Sequence, residues 1–218
     1  MDLVGVHHAD LLGRERIRKL LDEYAPSSVS IEIMKGLTLE EVEGIVVNTN
    51  QRNTHYILRQ CALQDIVLPY TSLLLDVLSI IGYEFLESIS YAKKNDAQIF
   101  FVDQPSFYDK NNISYPVTAI AQNIVNIVGL SNLNSGKKSY EEIKRIYIKG
   151  VDKQYCFVGR NVLSISREEF MAEELRELKP DMHIAGISHV YNTNPKALCN
   201  QLKDATNRKI RLSEIKIK

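Results

Sequence analysis

The sequence has few cysteines, no surplus of one charge and no long uninterrupted apolar run. Its three cysteines, Cys61, Cys156 and Cys199, are far apart with no CxxC spacing. This excludes a disulfide framework or thiolate zinc site and favours a reducing compartment. Lys plus Arg and Asp plus Glu both total 27, so the formal net charge is zero. Nucleic acid is therefore disfavoured as the main partner, because phosphate neutralisation needs a basic surplus.

The sequence also lacks the patterns of secretion and membrane insertion. The N-terminus has an acid at Asp2 and two histidines where a signal peptide has basic and then apolar residues. The most apolar stretch, 66–86, is interrupted by Pro69, Asp76 and Glu84, so it falls short of the roughly 20 apolar residues that span a bilayer. We therefore expect a cytoplasmic protein without a membrane segment. The 218 residues, 44% of them hydrophobic, suit a single domain over 1–218 that folds without a structural metal.

Alternating apolar strands and amphipathic helices predict an α/β fold. An apolar run at Leu3–His8, a helix over Leu12–Tyr24 and a β-rich run at Val29–Met34 have the length of a βαβ unit, whose strands are parallel. Further strands are predicted at Asp96–Asp103, Ile146–Lys149, Tyr155–Val158 and His183–Tyr191, with a bulged strand or small hairpin in the basic tail Lys209–Lys218. These elements predict a mixed α+β domain around a central, largely parallel sheet with flanking helices.

Capping boxes and breakers delimit the predicted helices. Thr38 with Glu41, Ser139 with Glu142, and Ser166 with Glu169 each have capping-box spacing, and Glu169 is interpreted as a capping residue only. The chain between the first of these boxes and Lys94 is mostly helical, and another helix is predicted over Val117–Leu130. Residues 105–115 read as a polar loop and 131–138 as a linker-like segment.

Polar residues occur where the predicted strands end, and this edge is where ligands bind in open α/β sheets. The first strand ends in His7-His8, the third at Asp103 and the late strand near His189, while Glu32 lies within the second. Two imidazoles and two carboxylates suit Mn, Fe, Co or Zn, and do not suit calcium.

Each of these residues also has an ordinary interpretation, and for a histidine at a strand end it is a partly exposed, hydrogen-bonded side chain. Glu32 is either buried, which is costly unless it is paired or metal-bound, or it points to solvent beside Ser30. Asp103 before Gln-Pro is a plausible turn cap. The isolated His55 and His183 are interpreted as structural or surface residues.

A repeated GxxH pattern favours a site. Gly5-Val6-His7-His8 and Gly186-Ile187-Ser188-His189 each follow a predicted strand. A glycine there allows close approach of backbone or ligand, and the histidine is held where the strand stops.

On these motifs the chain resembles the TraB/PrgY family, which is related to GumN and to the Tiki proteases. That family has an apolar strand with G-T-x-H and then a V-x-x-E-L strand, and here these are LVGVHH and VSIEIM. Its E-F helix and D-R strand end correspond to Gly82-Tyr83-Glu84-Phe85 and FFVDQ, with Gln104 in place of Arg. Its R-[DN]-x-x-M-A helix and G-x-G-H strand correspond to Arg167-Glu168-Glu169-Phe170-Met171-Ala172 and AGISHV. Val6 stands where the family has Thr.

The resemblance implies a fold like that of erythromycin-esterase-like and ChaN-like proteins and a metal-dependent, Tiki-like peptidase activity. Under it, His8, Glu32 and His189 hold a divalent ion, most readily Mn or Co, with Zn or Fe as alternatives. Arg167 stabilises the oxyanion, Glu32 is either ligand or general base, and Glu84 and Asp103 orient the histidines. No organic cofactor is implied.

Other functions remain open at this stage. The same fold could serve a non-catalytic protein that binds a peptide signal, or a hydrolase of a non-peptide ester. The partner is then a peptide or small molecule. The basic tail could instead bind nucleic acid, although a charged, solvated edge strand is the more ordinary explanation. That edge could also pair with a second copy to form a homodimer.

Overall fold

The fold is an α/β layer structure around one parallel sheet. A computed structural model describes residues 1–64, 68–105, 117–129, 138–156, 158–162 and 164–217. Its strands are β1 (Asp2–Val6), β2 (Ser28–Met34), β3 (Gln98–Asp103), β4 (Met182–Gly186) and β5 (Arg208–Arg211). They form a five-stranded sheet in the order β3-β2-β4-β1-β5, with every pairing parallel. The predicted fold class is confirmed.

Helices connect the strands and cover both faces of the sheet. They are α1 (Gly13–Tyr24), α2 (Leu39–Gln64), α3 (Leu68–Ser79), α4 (Tyr83–Asn95), α5 (Val117–Val128), α6 (Tyr140–Gln154), α7 (Ile165–Leu178), α8 (Ile187–Val190) and α9 (Leu198–Gln201). A single 3₁₀ turn, Leu212–Glu214, follows β5. No helix among the described residues is long and apolar enough to cross a membrane.

Alternation along the strands divides the core into two layers. Val4 of β1 packs with α1, α3, α4 and α6, whereas its neighbour Leu3 packs on the other face with α7 and α9. β1 and β4 lie side by side in the register Val6↔Gly186. The two GxxH motifs therefore leave the sheet at neighbouring points of the same edge.

Two of the three predicted capping boxes are present. Thr38 exchanges hydrogen bonds with Glu41, and Ser139 does so with Glu142. The third is wrong: α7 is capped by Ser164, whose hydroxyl accepts from the Arg167 N–H, two residues before the predicted position. The exposed Glu169 instead pairs with Lys196 at 3.2 Å.

The strand predicted at Ile146–Lys149 is wrong, and residues 155, 156 and 158, which the structure describes, do not form the strand predicted at Tyr155–Val158. Ile146–Lys149 lies inside α6, because Ile143, Tyr147 and Val151 recur at helical spacing and all face the core. Tyr155 is the C-cap of that helix in right-handed helical geometry. The β-branched residues that favoured a strand are also compatible with a buried helical face.

Several strand boundaries also differ from the prediction. β1 ends at Val6, so His7 and His8 lie in the turn beyond it. β4 ends at Gly186, and the rest of predicted strand His183–Tyr191 is the helical turn α8. In the tail, the change of alternation marks the 3₁₀ turn after β5 and not a bulge or hairpin. The predicted linker 131–138 and loop 105–115 lie outside the described residues, apart from their ends at Lys138 and Pro105.

Candidate functional site

The two histidines and the strand glutamate meet above Gly186 at the carboxyl edge of the sheet. An added Cβ on Gly186 would lie 3.1 Å from His8 Nε2, 3.5 Å from His189 Cδ2 and 3.6 Å from Glu32 Oε2. The Gly186 N–H also donates to Glu32 Oε2 at 2.9 Å. The structure thus brings together His8, Glu32 and His189, the three residues predicted to form a site.

The glycines of the two GxxH motifs make room for each other's motif. A Cβ on Gly5 would lie 2.5 Å from Cδ1 of Ile187, the residue after the second glycine. Gly186 in turn lies under His8 of the first motif. Side chains at either position would separate the two turns, which explains why glycine occupies both.

Each histidine is held by a buried carboxylate at its Nδ1 atom. His8 Nδ1 lies 2.5 Å from Oε1 of Glu84, the second residue of α4. His189 Nδ1 lies 2.5 Å from Oε1 of Glu168 in the first turn of α7. The other Glu168 oxygen accepts from the Leu198 N–H at 2.6 Å. A carboxylate on Nδ1 fixes the tautomer and directs Nε2 inward, as in histidines that bind metals.

Arg167 joins Glu32 to Asp103. Its Nε lies 2.9 Å from Asp103 Oδ1, its Nη2 lies 2.5 Å from Asp103 Oδ2, and Nη2 also pairs with Glu32 Oε1. The same Glu32 oxygen lies 3.1 Å from His189 Nε2. Asp103 therefore holds the arginine, while Glu84 contacts His8, one of the two histidines it was expected to orient.

The electrostatics of the cluster keep Glu32 ionised. Burial would raise the pKa of Glu32, but His189, Arg167 and His8 together hold it well below its ordinary value. Burial would likewise lower the pKa of His189, and the nearby carboxylates of Glu32 and Glu168 raise it to about 10. Packing around His8 lowers its pKa, and the Glu84 carboxylate more than offsets this. A carboxylate held so firmly in its charged form is a poorer general base than a ligand or counter-ion.

Sequence reasoning missed Glu168. It assigned a capping role to the neighbouring Glu169 and gave Glu168 none. The signal was present, because Glu168 lies three, four and seven residues before Met171, Ala172 and Leu175, which form the buried face of α7. A carboxylate on the apolar stripe of a helix requires a buried partner, and His189 is that partner.

The remaining histidines lie outside the cluster. His7 donates its backbone N–H to the Tyr155 hydroxyl at 3.0 Å, and burial lowers the pKa of its ring to about 4. His183 is fully buried, with Nδ1 2.9 Å from the Ser30 hydroxyl. His55 is exposed. His8 and His189 are thus the two histidines that meet Glu32 above Gly186.

The cluster contains carboxylate oxygens and imidazole nitrogens of the kind that bind cations, but these atoms already form ion pairs and hydrogen bonds with one another and with Arg167. Glu32, Glu84, Asp103 and Glu168 are opposed by Arg167 and the two imidazoles. Within the ranges that the structure describes, no three His, Cys, Asp or Glu side chains form a group arranged to hold a metal ion. Glu32 Oε1 is shared between Arg167 and His189.

Comparisons with known proteins give no relative from which a function could be transferred. No family model, no curated protein and no solved structure matches the chain.

Proposed function

We propose that this protein is a metal-dependent hydrolase whose centre is the cluster of His8, Glu32 and His189. One observation carries the proposal. Two imidazoles, each hydrogen-bonded through Nδ1 to a buried glutamate, meet the buried Glu32 above Gly186. Purely structural histidines seldom need a buried carboxylate each, because neutral partners satisfy them at lower desolvation cost. Two such pairs at the ligand-binding edge of a parallel sheet favour a site that works on a ligand.

The donor set fits a divalent transition metal. Imidazole nitrogens with one carboxylate suit Mn²⁺, Co²⁺, Fe²⁺ or Zn²⁺, and we favour Mn²⁺ or Co²⁺. His8, Glu32 and His189 would together hold the ion, which would take the place of the 3.1 Å contact between His189 Nε2 and Glu32 Oε1. Such an ion supplies an activated water and polarises the carbonyl of the substrate.

The other residues of the cluster position these groups. Glu84 and Glu168 accept the Nδ1 protons of the two histidines, so that each ring keeps its Nε2 directed inward. Arg167 lies in the first turn of α7, where Asp103 holds its guanidinium, and it keeps Glu32 in place. It is also the cation that would stabilise negative charge developing on a substrate oxygen. The Gly186 N–H fixes the second oxygen of Glu32.

The substrate class we favour is a peptide, with a non-peptide ester as the chemically neighbouring alternative. Both present a carbonyl carbon to an activated water, and the cluster provides for this step in either case. The 28% exposure of the His8 side chain, against 7% for His189, makes His8 the side from which substrate approaches. If the protein instead binds a peptide without cleaving it, the same edge of the sheet is the binding surface.

A turnover assay tests the proposal. The purified protein is incubated with a quenched-fluorescence peptide library and with nitrophenyl esters, each with Mn²⁺, with Co²⁺ and with a chelator. We expect metal-dependent cleavage that Glu32→Gln and His189→Asn abolish. His55→Ala, which removes an exposed histidine outside the cluster, is the matched control and keeps the wild-type rate.

The outcomes separate the candidate functions. Cleavage of esters alone would move the assignment to an esterase. Cleavage that persists with chelator would contradict the metal. If no substrate is cleaved but a peptide is retained by wild type and not by Glu32→Gln, the protein is a binder, and the hydrolase proposal fails.

A further inference from the structure

The turn that carries His8 is clamped by three buried tyrosines. The hydroxyl of Tyr83 donates to the His7 carbonyl at 3.1 Å, and that of Tyr147 donates to the Ala9 carbonyl at 2.9 Å. The hydroxyl of Tyr155 accepts from the His7 N–H at 3.0 Å. All three rings are at most 1% exposed. The backbone on both sides of His8 is therefore hydrogen-bonded to side chains of distant helices.

Asp10 links this clamp to helix α1. Its Oδ2 accepts from the Tyr155 hydroxyl at 2.9 Å and from Arg16 Nη1 at 2.7 Å, while its Oδ1 accepts from the Leu12 N–H at 2.9 Å. The Asp10 N–H in turn closes the turn onto the His7 carbonyl at 2.9 Å. Asp10 and Arg16 are nearly fully buried, at 1% and 5% exposed. Replacement of a buried charged pair by apolar side chains is often neutral or stabilising, so this pair is weak evidence for a purely stabilising role.

The clamp and the partner of His8 are adjacent in the sequence. Tyr83 fixes the backbone of the turn, and the next residue, Glu84, fixes the His8 ring. The Tyr83 ring lies so close to Gly13 that a Cβ there would overlap it. The start of α4 therefore packs closely against α1, and two adjacent residues of α4 hold the turn and the His8 ring.

We infer that Asp10 and Tyr155 are positioning residues for His8. They hold its imidazole in the orientation in which Nδ1 contacts the Glu84 carboxylate. Tyr155 accepts from the His7 N–H, and Asp10 accepts from the Leu12 N–H and donates its own N–H to the His7 carbonyl, so each acts on His8 through the turn. The catalytic importance of this orientation rests on the proposed function. Its physical content, the orientation of one ring, is measurable without any substrate or metal.

Nuclear magnetic resonance of the histidine rings tests this inference. Selective ¹⁵N-histidine labelling gives ring signals for five histidines, and His8→Asn and His189→Asn assign the two Nδ1–H protons that face carboxylates. In Tyr155→Phe and in Asp10→Asn we expect the His8 Nδ1–H to exchange with solvent about tenfold faster, the effect of losing one buried hydrogen bond. The His189 proton, held by Glu168 on another helix, keeps its wild-type exchange rate.

A matched control excludes a general effect of losing a tyrosine hydroxyl. Tyr91→Phe removes a hydroxyl that donates to the Pro26 carbonyl at 3.1 Å, away from the cluster, and leaves both ring protons unchanged. The inference is overturned if the His8 proton is unaffected in both folded variants, or if the His189 proton changes equally. It is also overturned if neither variant folds, since the network would then serve stability alone.

The same variants distinguish this inference from the proposed function. If Co²⁺ binds, its affinity should fall about tenfold in Tyr155→Phe, as expected for a residue that supports a ligand. If wild type binds no ion and cleaves nothing, the proposed function fails, yet faster exchange at His8 would still establish the clamp.

Discussion

The buried His183 makes the acid stability of the protein a test of the structure. Its ring is completely buried on β4, with Nδ1 at the Ser30 hydroxyl and no hydrogen-bond partner for Nε2 among the described residues. Burial lowers the pKa of His183 from 6.5 to about 4. The folded protein therefore resists protonation of this ring, whereas the unfolded chain accepts the proton at its ordinary pKa.

The sign and size of the effect follow from this difference in pKa. The stabilisation from neutral His183 is fully present above pH 6.5 and is lost as the pH falls towards 4. The free energy of unfolding should drop by about 2 kcal/mol at pH 5 and by about 3 kcal/mol at pH 4 from this residue alone. Because the ring is fully buried, solvent screening does not reduce these values appreciably.

The assay is urea unfolding of wild type and His183→Gln between pH 7.5 and 4. Burial also lowers the pKa of His7, which acts in the same direction, whereas His8 and His189 act in the opposite direction because their pKa values are raised. The difference between the two proteins isolates His183, and His55→Gln controls for an exposed histidine. The reasoning is refuted if the free energies of unfolding of wild type and His183→Gln fall in parallel with pH.

Three further predictions, two of them with a second substitution for comparison, test the site and its surroundings. Gly186→Ala should fold but bind Co²⁺ at least about tenfold more weakly in a calorimetric titration, because its methyl group displaces the His8 Nε2 atom. Unchanged affinity would contradict the claim that the site needs glycine at this position. In the same titration, Glu168→Gln should weaken Co²⁺ binding about 10–100-fold because Glu168 holds His189. The adjacent Glu169→Gln should leave binding unchanged because Glu169 pairs with Lys196. Gly13→Ala should destabilise the fold by about 1–3 kcal/mol because a tyrosine ring occupies the space. Gly44→Ala, with open space around it, should stabilise by up to about 1 kcal/mol in urea unfolding.

The sheet was predictable from the sequence because its strands are short apolar runs separated by helices of crossover length. Leu3–His8, Val29–Met34 and Asp96–Asp103 correspond to β1, β2 and β3 within two residues at each end. What periodicity could not provide is the strand order. The neighbours β1 and β4 are some 180 residues apart in the chain, and their pairing depends on the packing of two whole helical layers.

The three residues at the centre of the candidate site were predictable from the sequence, but several of the residues that hold them in place were not predicted. His8, Glu32 and His189 stand out because polar residues at strand ends of a parallel sheet share one edge. Glu168 was detectable in principle from its place on the apolar face of α7. The tyrosine clamp was not, because Tyr83, Tyr147 and Tyr155 each look like ordinary core aromatics until the fold brings their hydroxyls to one turn.

The helix α6 shows how a local signal misleads. Ile146, Tyr147 and Ile148 are residues with high β propensity, and the short run predicted a strand. The capping box at Ser139 and the spacing of Ile143, Tyr147 and Val151 determine a helix instead. Longer-range periodicity outweighed propensity because it decides which side chains reach the core.

The measurement that tests the central claim most directly is a Co²⁺ titration followed by visible absorption, with Mn²⁺ as competitor. The account predicts one ion per chain with ligand-field bands typical of nitrogen and oxygen donors. His8→Asn, His189→Asn and Glu32→Gln should each abolish saturable binding, while His55→Ala binds as wild type. If wild type binds no ion, or if the three substitutions leave the titration unchanged, the claim that these residues form a metal centre is contradicted.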